Sequence, residues 1–128
     1  MNYNISKKVS ATFQETIDKV TNELKKEGFG IITEIDLKEK FKEKLNIDFR
    51  NYKILGACNP ALAYKAIQIE DKIGTLLPCN ILLQEHANGE VEVSAINPLA
   101  SIGAVQHDYL KAIAKEVTDK LEAVIRRM

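Results

Sequence analysis

The chain is short of the residues that usually announce a chemistry. Its 128 residues include two cysteines, Cys58 and Cys79, and two histidines, His86 and His107. No C-x-x-C pair occurs, which removes the usual zinc-ribbon and thioredoxin-like signatures. Neither G-x-G-x-x-G nor a P-loop is present, so no sequence feature points to a phosphate-cradling loop. There is no serine in a nucleophile-elbow motif. Charge of one sign is also missing: eighteen basic residues balance eighteen acidic ones. A nucleic-acid-binding domain would show a basic excess, so no nucleic-acid partner is expected. No apolar run approaches the ~20 residues of a membrane span. The opening "MNYNISKKVS" lacks the apolar centre of a signal peptide. A cytoplasmic protein without a membrane partner is therefore expected. In that reducing setting two cysteines are free thiols more often than a disulfide. Repeats, linkers and low-complexity stretches are absent as well.

What remains is regular periodicity over one domain, residues 1–128. "YNISKKV" places Tyr3, Ile5 and Val9 at period two, a strand. Phe13, Ile17, Val20 and Leu24 then follow at helical spacing, with Thr12 or Ser10 as cap and Gly28 as stop. In "FGIITEI" strand character returns, with Phe29, Ile31 and Ile35 on one face. "DLKEKFKEKLNID" reads as a charged helix capped by Asp36, its Leu37, Phe41 and Leu45 four apart. "YKILGAC" is a nearly all-apolar strand, expected to be central. "NPALAYKAIQIE" begins a helix with Asn59 as cap and Pro60 at the first helical position, where a missing N–H costs nothing. "CNILLQEH" and "EVEVSAI" are strands joined through Asn88-Gly89, a strong hairpin signal. Val91 and Val93 face inward. "NPLASIGA" reads as a loop. The last helix carries Val105, Tyr109, Ile113, Val117, Leu121 and Val124 on one stripe, and Arg126 and Arg127 suit its C-terminal dipole. The order β-α-β-α-β-α-β-β-α with a late hairpin predicts an α+β fold. About five strands form a mixed or mainly antiparallel sheet covered by helices.

Both cysteines sit in the same local grammar. Cys58-Asn59-Pro60 ends a strand and opens a helix; Pro78-Cys79-Asn80 opens a strand. Antiparallel neighbours would bring both to one sheet edge, with Asn59 and Asn80 nearby. Beside a helix N-terminus Cys58 is expected to be the more acidic thiol, and the free N–H groups favour an anion. Cys58, Asn59, Pro60, Pro78, Cys79 and Asn80 are therefore candidate ligand-binding residues. The plainer alternative makes both cysteines small core hydrophobes and both asparagines local caps. No metal is expected: zinc needs about four ligands, and on a regular strand His86 and Cys79 point to opposite faces. Glu85, Glu90 and Glu92 form a candidate acid–base group, more simply read as solvated strand carboxylates. Tyr64 is placed either over a pocket at the corner or in the core.

The blocks "YKILGACNPALAYKAIQIEDKIGTLLPCNILLQE" and "GEVEVSAINPLA", with the closing helix, resemble the prokaryotic family called domain of unknown function 302. The resemblance covers essentially the whole chain. It implies a compact α+β subunit that forms a homodimer, and it marks Cys58, Asn59, Pro60, Leu77, Pro78, Cys79 and Asn80 as motif positions. It supplies no reaction, substrate or cofactor. Where such proteins often carry a methionine, this chain has Leu99 and Ile102, so no thioether ligand is expected. Two functions follow: a small-ligand or thiol-redox protein working at the Cys58/Cys79 corner, or a non-catalytic homodimeric structural or interaction module.

Overall fold

The computed structural model describes residues 2–128. Five strands, β1 (Asn4–Val9), β2 (Gly30–Asp36), β3 (Tyr52–Cys58), β4 (Cys79–Glu85) and β5 (Val91–Ile96), form one sheet in the order β1-β5-β4-β3-β2. Every pairing is antiparallel. Four helices, α1 (Phe13–Lys26), α2 (Leu37–Leu45), α3 (Pro60–Ile69) and α4 (Asp108–Arg126), complete the expected α+β order. The apolar β3 is interior, but the middle position belongs to β4.

Strand alternation sorts the side chains. Leu55, Ala57, Cys79, Ile81, Leu83, Val91, Val93 and Ala95 all fall on one face, and all are buried. α1 and α4 pack across that face, bringing Val20, Leu24, Leu110, Leu121 and Val124 to the core at 0% exposure. α3 packs on α4, and α2 leans on β3. An aromatic string anchors α2: Phe41 meets Phe49 edge-on at 5.1 Å, and Phe49 lies 5.8 Å from Tyr52.

Local chemistry sets the element ends. Thr12 caps α1 by accepting the Glu15 N–H at 3.1 Å. The same helix stops in a Schellman turn: Phe29 N–H bonds Leu24 O at 2.9 Å and Gly28 N–H bonds Lys25 O at 3.1 Å. Gly28 takes φ +86 there, a left-handed value that a side chain resists. Asp36 caps α2 through the Glu39 N–H. In the hairpin, Gly89 N–H bonds His86 O and His86 N–H bonds Glu90 O. Only Gly89 has positive φ, so the connection is a turn followed by a left-handed glycine, not a two-residue Asn88-Gly89 turn.

Four other expectations change as well. Ile35 does not share a face with Phe29 and Ile31, because the β2–β3 register shifts between Ile31 and Thr33. That bulge puts Ile35 on the opposite face, where it is 44% exposed. Tyr3 precedes β1 and stands exposed. "NPLASIGA" winds into two short 3-10 turns, Pro98–Ala100 and Ile102–Ala104. On α4 the buried stripe is Leu110, Ile113, Val117, Leu121 and Val124, whereas Val105 lies before the helix and Tyr109 points to solvent.

Glu23 ties the chain's last helix to its first. Its carboxylate accepts from Lys26 at 2.8 Å and from Arg127 Nε at 2.5 Å, and Arg127 also reaches Glu27 at 3.1 Å. Hydrogen bonds from Lys26 and Arg127 hold the Glu23 pKa below the ordinary carboxylate value. A lowered folded pKa stabilises the fold above the unfolded value of ~4.3, and this contribution disappears as pH falls from there through the folded value. Glu23→Gln should therefore melt lower than wild type at pH 7, with the gap closing in acid. A gap independent of pH would show that the ion pair plays no such part.

Candidate functional site

The two cysteine segments meet as their shared grammar suggested. β3 delivers Cys58 at its last position, and β4 begins at Cys79, opposite Ala57. By the period of two, Cys79 shares the helix-covered face with Ala57, and Cys58 follows at the other parity on the strand end. Both line one small, partly open cavity, together with Asn59 and Pro78 and, from the core, Phe29 and Leu62.

Several side chains keep this corner tight. Asn59 Oδ1 accepts the Leu62 N–H at 3.3 Å, capping α3. Its Nδ2 donates to the Glu27 carbonyl at 3.4 Å, tying the start of α3 to the end of α1. Gly28 allows this approach, since a Cβ there would stand 3.0 Å from Asn59 Nδ2. Gly56 does the same beneath Pro78: a Cβ would lie 2.8 Å from Pro78 Cγ and run into Thr33 Oγ1.

Not every candidate residue reaches the cavity. Pro60 is exposed on the first turn of α3. Asn80, one residue beyond Cys79, is exposed on the other sheet face and borders a different depression with Tyr3, Tyr52 and Ser94. The histidines lie elsewhere. His86 Nε2 meets Glu92 Oε1 at 2.9 Å near the hairpin, and His107 Nδ1 accepts the Tyr109 N–H at 3.1 Å as the cap of α4. Among the described residues no three His, Cys, Asp or Glu side chains are grouped to hold a metal ion.

Size and burial limit the chemistry at the corner. The cavity measures about 30 Å³, room for about one water, whereas sites for organic ligands occupy ~300–1,000 Å³. Cys58 is half-buried and Cys79 buried, both as free thiols. Burial, with a smaller push from the charge of nearby Cys58, raises the Cys79 pKa to about 11. Cys79 is therefore a protonated thiol at neutral pH and a poor nucleophile.

Sequence reasoning missed a groove between α3 and α4, bordered by Tyr64, Tyr109 and His107. The stripe Leu110, Ile113, Val117, Leu121, Val124 accounts for the buried side of α4 and leaves Tyr109 out, which was the available signal.

These features define a small α+β protein with helices packed across one sheet face and a cysteine-lined cavity at a strand end. The family described as domain of unknown function DUF302 matches residues 5–128, and the chain belongs to it. A crystal structure of an uncharacterised conserved DUF302 protein from Bacillus stearothermophilus is similar over 98% of this chain and 97% of that one, with 30% identity and a TM-score of 0.90. No curated protein matches the chain. No helix among the described residues is long and apolar enough to cross a membrane.

Asn59 has two jobs, and both set what its substitutions should do. Asn59→Ala should cost ~1 kcal/mol through the lost cap. Asn59→Asp keeps the cap but cannot donate to the Glu27 carbonyl, leaving oxygen against oxygen. It too should cost ~1 kcal/mol or more. Thermal denaturation decides: an aspartate variant that melts like wild type would remove the tie to α1.

Proposed function

We propose that this protein is a non-catalytic homodimeric module whose copies meet through the sheet face left open by α1 and α4. The observation that carries the reading is a pair of adjacent rows on that face with no charged side chain. Ser6, Ser94, Leu82, Ile54 and Ile35 form a row across all five strands. The neighbouring row is Asn4, Ile96, Asn80, Gly56 and Thr33. Neither row contains an ionisable side chain, although charged residues make up 28% of the chain. In a two-fold contact a patch meets itself, so a patch of one sign would repel its copy; a neutral one does not. The next row, toward the hairpin, pairs Lys8 with Glu92, one charge of each sign. Exposed Tyr3 and half-buried Tyr52 border the same face, and aromatic residues are enriched at interfaces. Sedimentation should find a dimer at micromolar protein. Leu82→Glu, a change on the open face, should give a folded monomer. A monomeric wild type would sink the reading.

The two-cysteine corner supports a second reading, a thiol-active or ligand-binding site, because both cysteines and the cap of α3 line one cavity. In this reading half-buried Cys58 is the working thiol and Cys79 is its silent wall. Native alkylation at pH 8 should modify Cys58 at least about tenfold faster than Cys79, and Cys79 labelling should climb with pH toward its raised pKa of about 11. Equal rates at pH 8 would leave the corner without a distinct working thiol.

A further inference from the structure

The face of the molecule formed by α3 and α4 carries a feature that neither reading uses. A groove of about 470 Å³ runs between these helices, a volume within the ~300–1,000 Å³ range of small-molecule sites. Its floor is apolar, with Leu62, Ile69 and Ile113. Leu62 and Ile113 also line the cysteine cavity, so they form the wall between the two spaces. Tyr64 and Tyr109 border the groove at 68% and 72% exposure. The chain has only four tyrosines and four phenylalanines, and two of the eight rings stand here in water. Aromatic rings so placed offer flat apolar surface at little conformational cost.

The polar side chains offer the groove free hydrogen-bond donors. Lys65 enters no ion pair or hydrogen bond among the described residues. His107 uses Nδ1 to accept the Tyr109 N–H. Its neutral ring therefore carries the proton on Nε2, a donor with no partner among the described residues. The one acid in the lining is Glu116, nine positions along α4 from His107, roughly 13 Å at helical rise. Asp108 lies beside His107 on the first turn. Unpaired donors thus outnumber the acid in the lining. We infer that this groove is a binding site for a small planar aromatic molecule bearing an anionic group. Its rings lie against Tyr64 and Tyr109, and its anion is met by Lys65 and the His107 Nε2–H. The site stands apart from the sheet face, so pairing of two copies there leaves it open.

Anilinonaphthalene sulfonate is a suitable probe, with uncharged phenyl-naphthylamine as its comparison. The folded protein should bind one sulfonate per chain with enhanced fluorescence. Tyr109→Ala, an exposed change that leaves the core intact, should weaken both probes about tenfold. Lys65→Glu should weaken the sulfonate about tenfold and the uncharged probe little. Leu82→Glu, on the sheet face, should leave both affinities unchanged even if it separates a dimer. The proposal is overturned if the folded protein binds neither probe, if Tyr109→Ala and Tyr64→Ala both bind like wild type, or if Leu82→Glu abolishes binding. Equal loss of both probes in Lys65→Glu would overturn the anionic part.

Discussion

Leu55, Ile81, Leu83 and Val93 rise from one side of the sheet into Val20, Leu24, Leu121 and Val124 of the helices above. The rest of the molecule depends on this one-sided burial. Because strand side chains alternate, a slip of one residue in any pairing would turn an entire apolar set toward water. The register of the four pairings is thereby held, and with it the place where each strand starts and stops. The first and last helices share the core, so the chain closes on itself. Glu23 and Arg127 join there, Lys7 Nζ donates to the Arg126 carbonyl, and Lys19 Nζ donates to that of Met128.

The same burial decides the character of the cysteine corner. Ala57 and Cys79 lie opposite each other on the covered face, and Ala66 of α3 comes down near them into the same cavity. Small residues at those positions allow close approach and leave about 30 Å³. A buried thiol in such a space loses its affinity for charge, which is why Cys79 titrates far above its ordinary range. The asparagine that resembles a ligand group is engaged by the Leu62 N–H in the first turn of α3 and by the Glu27 carbonyl at the end of α1. Open, solvated surface lies elsewhere, on the sheet face away from α1 and α4 and in the groove beside Tyr64 and Tyr109.

Much of this architecture was legible in the chain. Thr12, Asp36 and Asn59 cap helices because a short oxygen-bearing side chain before an apolar period can satisfy a free N–H in almost any setting. Gly28 ends α1 because the left-handed turn there disfavours a side chain. Val91 and Val93 face inward by plain alternation. The meeting of Cys58 and Cys79 followed from reading their two strands as antiparallel neighbours, since the end of one must then face the start of the other.

Local sequence therefore determined the elements, their order and their caps, because backbone hydrogen bonding and side-chain periodicity act over a few residues. Tertiary structure decided everything that depends on where a side chain points after packing. Ile35 left its expected face because a bulge opposite Gly56 and Ala57 changed the count. Tyr109 turned outward because α4 rotated to bury Leu110 instead. Asn80 parted from Asn59 because successive strand residues face opposite ways, while a helix cap points back over its own first turn. A face or a cavity is a sum over elements distant in sequence, and no short stretch of the chain contains it.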